Sequence, residues 1–456
     1  MEDERSFIDE ALELIEGRRY SALKELVSTK EPADIAEIFD DLSREQAVIL
    51  YRLLPKELAA EVFVEMDTEL QETLINLFSD KELKEVLSEM YFDDAADIID
   101  EMPASLVRRI LANASPDMRR TVNELLKYPE DSAGSIMTTE FVGLKRRMTV
   151  ADSLTYIRQV AIDKETIYTC YVMDADRKLL GIVTAKDLLT SKIDASIEDI
   201  MDVNVISVST LDDKEEIAQM FGKYDFLALP VVDAENRLVG IITVDDAIDV
   251  MQEEVEEDFA KMGAITPTDK EYLKTGVFET WRTRIPWLLL LMVSSTFTGM
   301  IISSFESALA AQVALTAFIP MLMGSGGNSG SQASVTVIRG LSLGDIEFRD
   351  IFKVIWKEFR VSILCGVSLA AATFVKIILI DNLLLHGGID TLIAFVVSIT
   401  LCFTVMCSKF IGCVLPILSK RIGLDPAVMA SPFITTIVDA VSLLIYFGFA
   451  TTILKL

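Results

Sequence analysis

Five long apolar segments near the end of the chain constrain its fold more than any other feature. They run from about Ile285 to Phe305, Ala308 to Ile338, Val361 to Ile380, Thr391 to Leu418 and Ala427 to Thr451. About twenty apolar residues suffice for a helix to cross a bilayer. Since the mean hydropathy of the whole chain is +0.38, the sequence predicts a membrane protein with a five-helix transmembrane domain.

The second apolar segment contains a polar, glycine-rich stretch, IPMLMGSGGNSGSQ, between Ile319 and Gln332. Hydrocarbon offers no partners for side chains such as Asn328 and Gln332, so these groups are expected to face protein or water. Pro320 removes a helix donor, which favours a distorted helix beside a polar path. The alternative is a packing face of small residues between helices.

Asp439 lies deep within the fifth apolar segment. A carboxylate at that depth is costly unless it meets water, a cation or a counter-charge. A hydrated cation is the favoured partner, and a structural salt bridge, for which Lys409 is the nearest candidate, is the alternative. Asp425, at the cytosolic mouth of the same segment, is expected to face an acidic helix.

Charge divides the chain into an acidic front part and a membrane part. Residues 1 to 272 hold 61 acidic and 29 basic side chains, whereas residues 273 to 456 hold 10 and 13. Eight carboxylates fall between Asp245 and Asp258 with no base before Lys261. Repulsion within such a helix is relieved by hard cations such as Mg²⁺ or Ca²⁺. Divalent cations, and not nucleic acid, are therefore the expected partners.

The acidic front part contains two different secondary-structure patterns. Short amphipathic helices separated by prolines fill about Ser6 to Tyr128 and predict a small α-helical superhelix. Alternating strands and helices follow, and the stretch Tyr171 to Leu189 recurs as Pro230 to Ile248. Four matched pairs, all offset by 59 residues, carry this duplication: Asp174 with Asp233, Gly181 with Gly240, Thr184 with Thr243, and Asp187 with Asp246. This duplication resembles a tandem pair of CBS domains.

The predicted fold class is a multidomain chain: α-helical superhelix, tandem CBS domains (α+β) and five-helix transmembrane domain. The predicted boundaries are 1–130 for the superhelix, 131–200 and 201–252 for the CBS domains, 245–276 for an acidic connecting helix, and 277–456 for the transmembrane domain. Among the loops that flank the spans, Lys and Arg occur in alternate loops only, which places the N-terminal domains in the cytosol and the C-terminus outside a cell membrane. The start, MEDERSFIDE, has no signal-peptide pattern.

Two further motifs carry a closer resemblance. The second span reads Pro320-x-x-x-Gly324-x-Gly326-Gly327-Asn328-x-Gly330-x-Gln332, and the fifth carries Asp425-Pro426, Ser431-Pro432 and Asp439. With the domain order, these residues closely resemble the MgtE-type magnesium channels over essentially the whole chain. Ser431 departs from the pattern, since relatives often carry asparagine there.

The resemblance implies a homodimer whose pore runs between the second and fifth spans of two subunits and carries Mg²⁺ inward. The implied pore residues are Asp439, Asn328, Thr435, Gly324 and Gln332. It also implies that cytosolic Mg²⁺ shuts the pore by bridging carboxylates. The implied metal ligands are Asp93, Asp97, Asp246, Asp249, Glu254, Glu257, Asp258, Asp425 and Asp439.

An adenine nucleotide such as ATP is a further expected ligand of the CBS pair, although many such pairs bind none. Its contacts would be Thr184, Asp187, Thr243 and Asp246. The chain is not expected to be an enzyme. Two alternatives to the channel stay open: a cation-coupled secondary transporter of divalent cations, and a membrane-anchored nucleotide sensor that conducts nothing.

Overall fold

The computed structural model describes residues 2–268, 272–386 and 388–455; the side chains of residues 2–6, 163 and 431 lie outside the described part. The chain forms two compact units, Met1–Met251 and Gln252–Leu456. This division is coarser than the predicted domain boundaries, which stay predictions.

The first unit begins with ten short helices. They are α1 (Glu2–Glu16), α2 (Tyr20–Val27), α3 (Pro32–Asp40), α4 (Arg44–Tyr51), α5 (Lys56–Val64), α6 (Thr68–Leu77), α7 (Asp80–Glu89), α8 (Phe92–Glu101), α9 (Ala104–Asn113) and α10 (Pro116–Leu125). Pro32 and Pro116 lie in first turns, where a missing N–H costs little. Ser43 and Ser79 form capping boxes that start α4 and α7. The helices bury one continuous apolar core, which confirms the predicted helical N-terminal domain.

Two three-stranded sheets follow. The first holds β1 (Gly143–Lys145), β2 (Thr169–Met173) and β3 (Leu179–Thr184), and the second holds β4 (Val208–Ser209), β5 (Ala228–Val232) and β6 (Leu238–Thr243). In each sheet the first pair is parallel and the second antiparallel. Helices α11 (Val150–Val160), α12 (Ala185–Thr190), α13 (Ile197–Ile200) and α14 (Lys214–Tyr224) connect the strands.

The duplicated glycines have the same structural role in both sheets. Gly181 pairs with Val172, and Gly240 pairs with Val231. A Cβ at Gly181 would lie 2.7 Å from the Asp202 carbonyl oxygen, and one at Gly240 would lie 2.7 Å from the Thr138 carbonyl oxygen. Only glycine fits these close backbone approaches, which explains why the repeat preserves it.

The acidic helix is α15 (Val244–Met262), and it contains the division between the two units. The predicted connecting helix extends to residue 276, but the described residues between Met262 and Val277 are not helical. Gly263 begins the break, and Ala264 takes a positive φ of 53° that an α-helix does not allow.

Within the described residues, six α-helices follow α15 in the second unit. They are α16 (Val277–Ser304), α17 (Glu306–Ala311), α18 (Ile319–Ser342), α19 (Ile351–Lys376), α20 (Thr391–Arg421) and α21 (Ser431–Leu454), with a π-helical segment, Ile377–Leu384, after α19. Within the described residues, four segments are long and apolar enough to cross a membrane, at Val277–Ser304, Phe348–Leu384, Thr391–Arg421 and Pro426–Leu454. These four contain α16, α19, α20 and α21.

The second predicted span is α18, and it differs from its prediction in two ways. First, it begins at Ile319 and not at Ala308, because α17 and a 3-10 helix, Val313–Phe318, precede it. Second, the prediction of a helix distorted by Pro320 is wrong. Pro320 lies in the first turn, where its missing N–H breaks no helical hydrogen bond, and α18 is a regular helix through the glycine-rich stretch. Its 24 residues reach about 36 Å, enough to cross a bilayer, so the fifth span stays a prediction.

Candidate ion path and carboxylate clusters

Helix α18 has one face that packs and one that does not. Its packing face uses glycines: a Cβ at Gly326 would lie 2.7 Å from Thr404 Cγ2 of α20, and one at Gly330 would lie 2.9 Å from Ile434 Cγ2 of α21. From the other side, a Cβ at Gly412 of α20 would lie 2.3 Å from the Gly330 carbonyl oxygen. The alternative drawn from sequence, a small-residue packing face, therefore describes one side of this helix.

The opposite face of α18 is exposed in the single chain. It holds residues spaced about one turn apart: Pro320, Gly324, Asn328, Gln332 and Thr336. A Cβ at Gly324 would meet no atom within 4 Å. Because lipid offers no hydrogen bonds to Asn328 and Gln332, this polar face needs water or protein against it. Three of the five predicted pore residues thus share one face of one helix.

The other two predicted pore residues, Thr435 and Asp439, lie one turn apart on α21. Thr435 touches the edge of the glycine stretch, since a Cβ at Gly327 would lie 2.9 Å from Thr435 Cγ2. Asp439 is half-buried, and its Oδ1 atom is buried without a hydrogen-bond partner. A lone carboxylate oxygen inside a membrane helix bundle is costly unless something else satisfies it. The side chain of Ser431, the residue at which the sequence departs from the family pattern, lies outside the described residues.

Lys409, the candidate salt-bridge partner of Asp439, pairs with another carboxylate. Its Nζ atom lies 3.7 Å from Glu358 Oε2, and the exposed fractions of these two side chains are 6% and 13%. This ion pair joins α20 to α19. In the described part of the chain, no basic side chain lies within 4.0 Å of Asp439, which favours the cation over the salt bridge.

A first carboxylate cluster lies within the first unit, where Asp93 and Asp94 at the start of α8 approach Glu140, Glu165 and Asp246. Burial, with repulsion from Glu140, raises the pKa of Asp93 to about 6. Burial, with repulsion from Asp93 and its neighbours, raises the pKa of Asp94 to about 8. Burial contributes most to both shifts, and the neighbouring carboxylates add to it.

The pKa values of two further members of the first cluster, Glu165 and Asp246, are also raised. Burial, followed by repulsion from Asp93 and Asp94, raises the pKa of Glu165 to about 8. Burial, followed by repulsion from Asp93 and Asp245, raises the pKa of Asp246 to about 7. Asp93 Oδ1 and Glu165 Oε2 are buried without hydrogen-bond partners. Carboxylate oxygens are ligands that hard divalent cations prefer, so these unpartnered atoms are candidate ligands of Mg²⁺.

Sequence reasoning missed several members of this first cluster. Asp94 directly follows a predicted ligand, whereas Glu140 precedes β1 and Glu165 precedes β2, in stretches without any metal-type spacing. Glu140 Oε2 accepts a 2.9 Å hydrogen bond from the Phe92 backbone N–H at the start of α8. Only the folding of the sheet against α8 places these two glutamates beside Asp93.

A second carboxylate cluster lies at the end of α15, within the second unit. Lys261 Nζ lies 2.6 Å from Glu257 Oε1 and 2.5 Å from Asp425 Oδ2. Asp258 Oδ2 accepts a 3.0 Å hydrogen bond from Ser342 Oγ at the end of α18. Asp425 therefore lies close to the acidic helix α15, as the sequence predicts, and Lys261 of that helix makes the contact.

The nine predicted metal ligands fall into separate groups. Asp93 and Asp246 belong to the first cluster, and Glu257, Asp258 and Asp425 to the second. Repulsion from Asp97 contributes, after burial, to the raised pKa of Asp94. Burial, followed by repulsion from Asp249, raises the pKa of Glu65. Glu254 lies on α15, and Asp439 is separate on α21. Among the described residues, no set of three or more His, Cys, Asp or Glu side chains is already arranged to hold a metal ion. Their role as ligands stays a prediction.

The four predicted nucleotide contacts have local structural roles. Thr184 and Asp187 form a capping box at the start of α12. Thr243 Oγ1 donates a 2.5 Å hydrogen bond to Asp246 Oδ2 at the start of α15. Helix capping alone accounts for the repeated Thr-x-x-Asp pattern, so a nucleotide role stays a prediction.

Comparison with known proteins agrees with this architecture. A family model described as a divalent cation transporter matches residues 319–449. One described as the MgtE intracellular N domain matches residues 30–131, and the CBS domain model matches residues 133–194 and 197–253. The magnesium transporter MgtE of Thermus thermophilus is 36% identical over 438 residues, which cover 95% of each chain. The chain belongs to the MgtE family of magnesium transporters.

Further MgtE proteins support this membership. The magnesium transporter MgtE of Bacillus subtilis is 34% identical over 432 residues, covering 94% of this chain and 93% of that protein. A crystal structure of the cytosolic domain of the Mg²⁺ channel MgtE in complex with ATP is 38% identical, with a TM-score of 0.50, and covers 53% of this chain and 99% of that chain. The soluble part of a magnesium transporter matches with a TM-score of 0.52 and 32% identity, covering 55% of this chain and 99% of that chain.

These matches confirm the predicted fold class and family of the chain. The order of helical N-terminal domain, CBS pair and apolar C-terminal helices is that of the family. The relatives are named as transporters, so the prediction that the chain is not an enzyme is confirmed.

Proposed function

We propose that this protein is a Mg²⁺ channel that admits the ion to the cytosol through a pore between α18 and α21 of two subunits. The single observation that carries the proposal is Asp439, whose Oδ1 is buried without a partner on a membrane helix. The names of its relatives, which are magnesium transporters, support Mg²⁺ as the cargo.

Inward movement needs no chemical fuel. Two positive charges that cross a membrane potential of about 100 mV, negative inside, release roughly 4.6 kcal/mol. A paired Asp439 from each subunit would supply two negative charges to attract a hydrated divalent cation. Asn328, Gln332 and Thr435 would contact the water around it, because Mg²⁺ gives up its own water reluctantly.

A homodimer would cover the polar face of α18. A second exposed surface favours the same assembly: α15 carries an apolar stripe of Ile248, Met251, Val255 and Phe259, with exposed fractions of 54%, 45%, 53% and 69%. Residues spaced three or four apart form one side of a helix. A second copy of α15 is the partner that this stripe fits.

Cytosolic Mg²⁺ would close the channel through the two carboxylate clusters. Without cations, burial and then mutual repulsion raise the pKa values of Asp93, Asp94, Glu165 and Asp246, so their charged forms are disfavoured. Bound cations would offset that repulsion and favour a compact cytosolic part. In this topology the N-terminal domains face the cytosol and the C-terminus lies outside.

An adenine nucleotide at the CBS pair is part of the proposal. Its support is the relative whose cytosolic domain was crystallised with ATP. Titration of the purified protein with a fluorescent ATP analogue, in competition with unlabelled ATP, tests it. Loss of binding in Asp187→Ala would assign the nucleotide to the first Thr-x-x-Asp pair.

The decisive experiment is Mg²⁺ flux into proteoliposomes that contain a fluorescent Mg²⁺ indicator. We expect Asp439→Ala to lose flux by at least tenfold, because the cation would cross low-dielectric surroundings without its counter-charge. Asp345→Ala is the matched control, since it removes an exposed carboxylate from the loop after α18. Equal flux in Asp439→Ala and the control, with unchanged dimer mass in detergent, would refute the pore assignment.

A further inference from the structure

Lys261 is a positive side chain inside the second carboxylate cluster. It is the last basic residue of α15, and only 21% of its side chain is exposed. Burial lowers its pKa, but hydrogen bonds to Asp425 and Glu257 outweigh this effect and raise it. The ammonium group therefore stays charged and is held by two carboxylates from different parts of the chain.

The contact fixes Asp425 through both of its oxygens. Asp425 Oδ2 lies 2.5 Å from Lys261 Nζ. Asp425 Oδ1 accepts a 2.7 Å hydrogen bond from the Ala427 backbone N–H, which caps the 3-10 turn before α21. A cation that binds Asp425 at Oδ2 therefore competes with Lys261 for that oxygen.

Neighbouring packing keeps Lys261 at this place. The adjacent side chain, Met262, packs against a small apolar cluster of Ile338, Ala427 and Ala430. Asp258 is hydrogen-bonded to Ser342 at the end of α18. A group tethered in this way has a high effective concentration at its partner, so free cations displace it only when their own concentration is high enough to compete.

The charge balance still attracts a divalent ion. Glu257, Asp258 and Asp425 carry three negative charges and Lys261 carries one positive charge, which leaves the cluster with a net charge of −2. A divalent cation would neutralise more of this charge than one ammonium group does. Oxygen ligands from carboxylates also suit Mg²⁺ better than they suit an ammonium group.

From these contacts we infer that Lys261 is a built-in competitor of Mg²⁺: it holds α15 to Asp425, just before α21, when Mg²⁺ is scarce, and it sets the Mg²⁺ concentration needed to occupy Glu257, Asp258 and Asp425. Lys261 is thus a positioning residue for regulation. The inference rests on the proposed closure by cytosolic Mg²⁺.

The inference predicts an effect of unusual sign. In Lys261→Met without Mg²⁺, the contact between α15 and Asp425 is lost. When Mg²⁺ is added, Glu257, Asp258 and Asp425 can bind it without competition from an ammonium group. Protection of the chain from proteolysis should therefore fall in the absence of Mg²⁺. The Mg²⁺ concentration that gives half-maximal protection should decrease about fivefold, the factor that one partly exposed ion pair contributes. A purely structural lysine would produce the opposite shift, because the variant would need more Mg²⁺ to order the same contact.

The test is limited digestion of the full-length protein in lipid nanodiscs with chymotrypsin, across a Mg²⁺ series. Chymotrypsin cleaves beside aromatic and large apolar residues, so Tyr272 and Leu273 report on the segment after α15. Lys261→Met adds a potential site inside α15, so cleavage at Tyr272 and Leu273 is scored separately by the masses of the fragments. Lys261→Arg keeps the charge and should behave like the wild type. Lys353→Met is the charge-matched control, since Lys353 pairs with Asp350 at an exposed site in the same unit.

The outcomes separate this inference from the proposed function. If the wild type shows no protection by Mg²⁺, the proposed regulation fails. If the wild type is protected, and Lys261→Met has an unchanged or higher half-maximal concentration, the competitor role is overturned. A lower concentration in Lys261→Met alone, with Lys261→Arg and Lys353→Met unchanged, supports it.

Discussion

At the scale of single residues, close packing in the membrane unit depends on missing side chains. Gly412 of α20 lies so near the Gly330 carbonyl oxygen of α18 that a Cβ would approach it to 2.3 Å. Such an approach to backbone cannot be relieved by rotating a side chain. The two helices must separate instead, which disturbs the helix that carries Asn328 and Gln332.

We therefore expect Gly412→Ala to destabilise the protein by about 1–3 kcal/mol, the usual cost of overpacking. Gly299→Ala is the matched control, because a Cβ there would meet no atom within 4 Å. Thermal unfolding in detergent measures both variants. Equal melting temperatures for the two would show that α18 and α20 are not in close backbone contact.

At the scale of elements, the pair Lys409 and Glu358 fixes α20 against α19. Both side chains are almost fully buried, so removal of one leaves the other charged and unpaired in apolar surroundings. Breaking a buried ion pair costs about 3–5 kcal/mol, whereas replacing both partners by apolar residues is often neutral. The helix pair should therefore tolerate loss of both charges better than loss of one.

A double-mutant cycle tests this expectation. Lys409→Met should lower the free energy of unfolding by about 3 kcal/mol, and Glu358→Leu combined with it should recover most of that loss. The same variants decide whether Lys409 serves conduction: recovery of stability with normal Mg²⁺ flux assigns the pair to structure. An additive loss in the double variant would contradict a direct interaction.

At the scale of the whole molecule, the first carboxylate cluster links stability to pH and to Mg²⁺. Its members have folded-state pKa values of about 6 for Asp93, 7 for Asp246 and 8 for Asp94 and Glu165. The unfolded values are about 4, so the folded chain holds protons that the unfolded chain has released. The contribution of these four groups to the free energy of unfolding is therefore most favourable below about pH 4, and it decreases as the pH rises towards 8.

For the full-length protein without divalent cations, we expect the melting temperature of the cytosolic part to fall by roughly 3–6 °C between pH 6 and pH 8.5. Added Mg²⁺ should remove most of this decrease, because it neutralises the same carboxylates. Scanning calorimetry over this pH range, with and without Mg²⁺, measures both effects. Replacement of Asp94 and Glu165 by Asn and Gln should flatten the metal-free profile, and an unchanged slope would show that other groups carry it.

Much of the architecture was predictable from sequence because its signals are local. The apolar runs, the proline-separated short helices and the 59-residue repeat with Gly181 and Gly240 each depend on neighbouring residues in the chain. The acidic character of α15 and the isolation of Asp439 among apolar residues were likewise visible. These features are confirmed as elements of the fold, whereas the functions assigned to them stay proposals.

What the sequence determined by itself was composition along the chain: where helices can cross a membrane, where negative charge accumulates, and where a domain repeats. Only the tertiary structure decided which charges meet. It placed Glu140 and Glu165 beside Asp93, paired Lys409 with Glu358 and not with Asp439, and brought Lys261 to Asp425. The physical reason is that Coulomb interactions depend on distance in space and on burial, and residues far apart in the chain acquire both only when the chain folds.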